Sequence, residues 1–157
     1  MDEIHIYKAQ RLLCLLRDGN ELFCCGIGLG QSPKGHKGAE GDGKTPEGEY
    51  RICTRNDRSK YTLFLGLNYP RPADAQAAFA ASRITESQLF AILNAHKLGK
   101  RPPWDTPLGG QIGIHGGGIS EGAGLADSTA GCIAVLDSDI RILWELAPLG
   151  ITVNIYP

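Results

Sequence analysis

A cysteine and a histidine are the residues of this chain best suited to chemistry. His115 ends the apolar run Ile112–Ile114, and Cys132 sits in Ser128-Thr129-Ala130-Gly131-Cys132-Ile133. A thiol with a pKa of about 8.5 is only a few per cent thiolate at neutral pH. A nucleophilic cysteine therefore needs an imidazole to take its proton or to stabilise its anion. Glycine at 131 would let a substrate carbonyl approach the backbone and leave main-chain N–H groups to hold an oxyanion. Spacing alone leaves two readings open: a Cys–His nucleophile pair, or a buried structural cysteine with a histidine at the end of a turn. His5, His36 and His96 lack such a setting and read as surface or structural residues.

Two other patterns fail on context. Gly26-Ile27-Gly28-Leu29-Gly30 has G-x-G-x-G spacing and is followed by Pro33 instead of an opening helix, so no helix N-terminus is on offer for a pyrophosphate. Gly118-Ile119-Ser120-Glu121-Gly122 fits G-x-S-x-G, with His115-Gly116-Gly117-Gly118 before it resembling an esterase oxyanion loop. A nucleophile elbow needs a strand before the serine, a helix after it and a later histidine, and His115 is the last histidine of the chain.

The elements that must position Cys132 and His115 are mostly strands. Glycine makes up 21 of 157 residues, about twice its average usage, and is concentrated in Gly26–Gly48 and Gly109–Gly131. Two long loops are implied, the usual place for function. Short apolar or alternating runs predict strands at Ile4–Lys8, Arg11–Arg17, Glu21–Leu29, Glu49–Thr54, Tyr61–Leu67, Ile112–Ile114, Ile133–Leu136 and Ile151–Ile155. Asp18-Gly19 between two of them suits a two-residue hairpin turn. Ala73–Ala81 is Ala-rich, Thr85-Glu86-Ser87-Gln88 has the form of a capping box, and Asp137 could cap a helix over Ser138–Ala147. No internal repeat or linker interrupts the chain, so residues 1–157 are expected to form one domain.

Composition excludes several classes. With 16 basic and 17 acidic side chains the formal charge is −1 and the cations are scattered, so nucleic acid is not an expected partner. Apolar runs such as Leu12–Leu16 are far too short to span a membrane. Met1-Asp2-Glu3 is acidic where a secretory signal carries positive charge, so no signal peptide is expected. Cys14, Cys24, Cys25 and Cys53 lie in strand-like runs and read as buried free thiols, which favours a reducing compartment. No C-x-x-C is present, and adjacent Cys24 and Cys25 would point to opposite faces of a strand, so no metal site is expected.

Taken together, the motifs resemble the L,D-transpeptidase catalytic domain family of the YkuD type over nearly the whole chain. The resemblance rests on Gly28-Leu29-Gly30, Pro33-Lys34-Gly35-His36-Lys37 and Gly41-Asp42-Gly43-Lys44-Thr45-Pro46-Glu47-Gly48-Glu49-Tyr50 in the first half. In the second half it rests on Ile114-His115-Gly116, Thr129-Ala130-Gly131-Cys132-Ile133 and Pro148-Leu149-Gly150-Ile151-Thr152-Val153. It implies a mainly β fold with α insertions: packed mixed sheets in a sandwich, with a helical insert and a catalytic loop. It also implies action on the peptide stems of bacterial peptidoglycan, as a monomer and without metal or organic cofactor. By position, Cys132 would be the nucleophile and His115 its base, with the Gly116 carbonyl orienting the imidazole and N–H groups around Gly131 and Cys132 forming the oxyanion hole. Thr129, Ala130, Lys44 and Arg51 are the residues expected to meet substrate.

Two departures bear on the outcome. Ala130 stands where many members have His, and Ala134 stands where many have an Arg that could hold a substrate carboxylate; Lys44, Arg51 and Arg141 are candidates to supply that charge. The Cys-Ile-Ala form, Asn68-Tyr69-Pro70 and the helical insert look more like the YafK-like branch, which includes hydrolases of cell-wall amide bonds. Transfer to an amine, giving a 3→3 cross-link, and hydrolysis by a carboxypeptidase or amidase both stay open, with a silent wall-binding domain as the non-enzymatic alternative. The family places its substrate in the cell envelope, whereas the N-terminus and the thiols leave the cytoplasm open.

Overall fold

In a computed structural model of the protein, residues 1–117 and 125–157 are described; Gly118–Gly122, with its G-x-S-x-G pattern, lies outside them. The strands are β1 (Asp2–Tyr7), β2 (Leu12–Arg17), β3 (Asn20–Gly26), β4 (Gly48–Ser59), β5 (Thr62–Leu67), β6 (Gly113–His115), β7 (Ile133–Ala134) and β8 (Thr152–Tyr156). The helices are α1 (Pro72–Ala80), α2 (Glu86–Lys97) and α3 (Asp137–Leu146). Each strand and helix expected from sequence is present, with ends displaced by a few residues.

The strands form one mixed ladder in the order β3-β2-β1-β8-β4-β5-β6-β7. β1 runs parallel to β8 and β6 parallel to β7, and the other pairs are antiparallel. The twelve-residue β4 belongs to both halves, pairing with β8 through Gly48–Arg51 and with β5 from Ile52 onward. Register shifts between Ile52 and Thr54 and between Asn56 and Ser59 accompany that change of partner. Bulges bend a strand and raise its twist, so the sheet curls instead of lying flat. The curl lets Ile4, Ile6, Leu13 and Leu15 share one core with Leu65, Leu67, Ile114, Ile133 and Val135, closed by Ile140 and Leu143 of α3. Each such side chain contributes about 1.5–3 kcal/mol on burial, which makes this core the main support of the short strands β6 and β7.

Local signals act where the sequence puts them. Asp18 (φ 50°) and Gly19 (φ 83°) both adopt the left-handed conformation of a primed two-residue turn. Gln88 N–H donates to Thr85 Oγ1 at 3.1 Å and Thr85 N–H to Gln88 Oε1 at 3.0 Å, a complete capping box on α2. α1 and α2 pack their own small core of Ala75, Ala78, Ile84, Leu89, Ile92 and Leu108. No helix among the described residues is long and apolar enough to cross a membrane.

Three expectations are corrected. Cys14 and Cys24 are not free thiols: they face each other across β2 and β3 and form a disulfide. Only Cys25, Cys53 and Cys132 are free, so the reducing-compartment argument loses two of its four thiols. Cys25 does point to the opposite face, into the core. Second, Leu136, not Asp137, is the N-cap of α3, because Asp137 is already helical and uses its carboxylate on the neighbouring loop. Third, β3 ends at Gly26; the chain then leaves β2, and Gly28 and Gly30 form isolated bridges to Ala134 and Thr129.

Two buried lysines brace the Gly-rich segment between β3 and β4. Lys8, 2 % exposed, donates to the carbonyls of Gly35 (2.9 Å) and Thr45 (2.8 Å) and to Glu47 Oε2 (3.0 Å). Burial lowers its pKa, while Glu47 acts in the opposite direction. Lys37, also 2 % exposed, pairs with Asp42.

Candidate active site

His115 and Cys132 are brought together by the parallel pairing of β6 and β7. Ile114 pairs with Ile133 and His115 with Ala134, and both isoleucines are fully buried in the core. The alternation of side chains then places His115, Ala134 and Cys132 on the other face. One residue back along the same register, Cys132 lies beside Gly113.

The imidazole is held on three sides. His115 is 5 % exposed, Tyr61 stacks on its ring at 4.3 Å between centroids, and Phe64, its register partner on β5, lies at 6.4 Å. His115 Nδ1 is hydrogen-bonded to the Gly116 carbonyl. A carbonyl only accepts, so the proton is on Nδ1 and Nε2 keeps its lone pair. Burial lowers the pKa of the imidazole below its ordinary value, with the Gly116 hydrogen bond pulling the other way. The ring is therefore neutral at pH 7 and able to accept a proton.

The chain after His115 is fastened by Asp137, whose Oδ1 accepts from Gly117 N–H and from Thr62 Oγ1, each at 3.0 Å. A Cβ at Gly116 would lie 2.4 Å from Asp137 Oδ1, so glycine there lets that carboxylate stay on the Gly117 N–H. Five residues before Cys132, Asp127 is gripped by Arg11, with Nη2 to Oδ2 at 2.8 Å, and accepts from Leu29 N–H at 3.0 Å.

Cys132 is half-buried, and its thiol donates to the Gln111 carbonyl at 3.2 Å. Burial pushes the thiol up to about 11, against the Gly113 N–H and the Lys37 charge, which favour the anion. The resting pair is a neutral thiol beside a neutral imidazole. Gly131 N–H donates to Thr129 Oγ1 at 3.1 Å, and that hydroxyl donates to the Cys132 carbonyl at 2.7 Å. The Thr129 hydroxyl is thus spent inside the turn, while its main chain bonds Leu29 (3.2 Å) and Gln31 (2.9 Å).

The remaining sequence candidates divide. Ala130 is exposed on the turn, and its carbonyl accepts from Lys37 Nζ at 3.5 Å. Lys44 meets the site through its main chain, its carbonyl packing on Gly131, while its ammonium lies toward Gly35. Arg51 is on β4, and its hydrogen bonds go to Gly150 and Asn68. Arg141 is exposed on α3. Ala134, 3 % exposed and paired with His115, offers no charge.

Sequence reasoning did not assign roles to Gln111, Lys37, Asp127 or Tyr61, although Lys37 and Asp42 lie in stretches that carried the resemblance. A groove of about 730 Å³ opens between α2 and the following loop, lined by Asn94, Lys100, Arg101, Trp104, Asp105 and Gln111 among others. Gln111, whose carbonyl accepts from the Cys132 thiol, is part of that lining. Trp104 is fixed in its wall by donating to the Tyr69 carbonyl at 3.1 Å, and Arg101 lies 4.5 Å over its ring.

Comparison with known proteins agrees with this architecture. Comparison with curated protein sequences gave no match. Among solved structures, the helical cell shape determining protein Pgp2 from Campylobacter jejuni is 22% identical, with a TM-score of 0.66 over 98% of this chain and 46% of its own. An L,D-transpeptidase from Xylanimonas cellulosilytica is 19% identical, with a TM-score of 0.55 over 99% of this chain and 60% of its own. Bd1075 from Bdellovibrio bacteriovorus is 22% identical, with a TM-score of 0.60 over 99% and 47%. The chain thus spans about half the length of these proteins. The YkuD family model, described as the L,D-transpeptidase catalytic domain, matches residues 2–155, and the chain belongs to that family.

Proposed function

We propose that the protein is a peptidoglycan L,D-transpeptidase-type cysteine acyltransferase facing the cell wall. The observation that carries this reading is the placement of Cys132 and His115 on one face of adjacent strands, with Nδ1 of His115 tied to the Gly116 carbonyl. His115 Nε2 takes the thiol proton as Cys132 Sγ attacks the carbonyl of the third residue of a tetrapeptide stem. The Cys132 N–H stabilises the oxyanion, joined by the Gly131 N–H when Thr129 turns its hydroxyl away. Collapse breaks the amide bond, the imidazolium gives its proton to the leaving D-alanine amine, and a thioester stays on Cys132. An amine of a second stem then attacks the thioester, forming a 3→3 amide and restoring the thiol.

The groove beside Gln111 suits the stem peptide. Lys100 and Arg101 supply there the carboxylate-binding charge that Ala134 lacks, in place of Lys44 and Arg51. The buried Ala134 also favours a second reading, hydrolysis, in which water resolves the same thioester and the product is a trimmed stem. The likeness to a cell-shape-determining protein fits either outcome.

Mass spectrometry of a disaccharide-tetrapeptide incubated with the protein, with Cys132→Ala and with His115→Ala decides the matter. Loss of D-alanine with dimer formation is expected from the native chain alone. Loss with only water added assigns hydrolysis, and full turnover by either variant overturns the reading.

A further inference from the structure

Among the described residues, Lys37 is the cation whose ammonium is hydrogen-bonded to the Cys132 turn. Its side chain is 3 % exposed, and charged residues are almost never buried so fully without partners. Its Nζ donates to Asp42 Oδ1 at 3.0 Å, to the Ala39 carbonyl at 3.2 Å and to the Ala130 carbonyl at 3.5 Å. That is the full donor capacity of an ammonium. Two of the acceptors belong to its own loop, and the third belongs to the peptide that enters Gly131. A Cβ at Gly131 would lie 3.6 Å from Nζ, so the charge stands directly behind the turn.

The counter-charge is shared out. Asp42 Oδ2 also accepts from Gly38 N–H (2.9 Å) and Ala39 N–H (3.1 Å), and Oδ1 from Lys44 N–H (3.0 Å). Although burial opposes it, these donors together with Lys37 keep the Asp42 carboxyl ionised below its ordinary range. The three N–H dipoles offset part of the Asp42 charge, so it balances the Lys37 ammonium only in part. If bracing the loop were the whole task, a matched apolar pair in place of Lys37 and Asp42 would serve, since buried ion pairs are often replaceable as pairs without loss of stability.

We propose that Lys37 is a positioning residue for the Cys132 chemistry: its ammonium holds the Ala130 carbonyl and sets a fixed positive charge behind Gly131, where the sulfur anion and the oxyanion form. This rests on Cys132 being the nucleophile. The charge is buried and its donors are engaged, so it acts on the reacting sulfur and not as the partner of a substrate carboxylate.

The test is the pH dependence of Cys132 alkylation by iodoacetamide, resolved from Cys25 and Cys53 by peptide mass spectrometry. It needs no substrate, so it stands apart from the transpeptidation assay. In Lys37→Met the midpoint is expected to rise by about one pH unit, a roughly tenfold slower alkylation at fixed pH on the rising limb. Lys37→Arg, which keeps the charge, is expected to restore most of the rate. In Asp42→Asn the midpoint should fall, because Lys37 loses its counter-charge. A purely structural Lys37–Asp42 pair would move both variants in the same direction. An unchanged midpoint in folded Lys37→Met, or shifts of the same sign in Lys37→Met and Asp42→Asn, overturns the proposal. Should Lys37→Met fail to fold, the sign in Asp42→Asn decides alone, and no downward shift there counts against it.

Discussion

The main-chain carbonyl of Lys44 occupies the space in which a side chain at Gly131 would begin, 2.6 Å from the position of a Cβ. Gly131 also has φ +143°, a conformation that other residues rarely adopt. Gly131→Ala must therefore push apart the two loops that meet at Cys132. Backbone strain of this kind costs about 1–3 kcal/mol, and thioester formation should slow at least tenfold by roughly the loss expected for a misplaced reacting group. Thermal melting together with the rate of thioester formation checks this; an unimpaired Gly131→Ala would show that the Lys44 contact is dispensable.

The neutral resting pair sets the pH profile. With His115 as the proposed base, its protonation removes activity, so kcat/KM should rise with pH through the imidazole pKa, which burial holds below its ordinary value. Tyr61 covers one face of that ring. Tyr61→Ala should admit water and move the acid limb up toward about 6.5, the unperturbed value. A pH–rate series on the two proteins gives the answer, and an acid limb that stays in place refutes the shielding role.

The Cys14–Cys24 disulfide joins the β2–β3 hairpin at the sheet edge farthest along the ladder from β7. Closing a chain of ten residues is worth about 2–3 kcal/mol. Cys14→Ser/Cys24→Ser should thus melt about 5–10 °C lower while keeping its turnover at low temperature. Calorimetry with and without a reductant tests both halves of that statement.

Asp127 ties the segment before Cys132 to Leu29 and Arg11. The Arg11 hydrogen bond, opposed by burial, lowers its carboxyl pKa. A group whose folded pKa is depressed contributes stability above its unfolded value and loses it as pH falls through the folded one. Since both partners are about a third exposed, Asp127→Asn should cost less than ~1 kcal/mol near neutrality. That difference should vanish in acid, below the ordinary carboxylate range. Urea midpoints across the acid range measure it.

The sequence by itself determined the elements and singled out Cys132 and His115 as the candidate pair. Alternating apolar runs, the Asp18-Gly19 turn and the Thr85–Gln88 capping box are local signals, and local signals survive in any context that buries the right face. The Cys132 and His115 candidates were legible through the ordered family motifs around them, since their spacing alone left a structural reading open. Only the tertiary structure decided what surrounds them. Lys37 and Asp42 lie 95 and 90 residues from Cys132 in sequence, and nothing in their own neighbours shows that the ammonium faces the Ala130 carbonyl. The Cys14–Cys24 bond depends on the register of β2 against β3, and the switch of β4 from β8 to β5 depends on bulges. Those contacts arise from the register between separate strands and loops, so their energies belong to the folded pairings and not to any single stretch of residues.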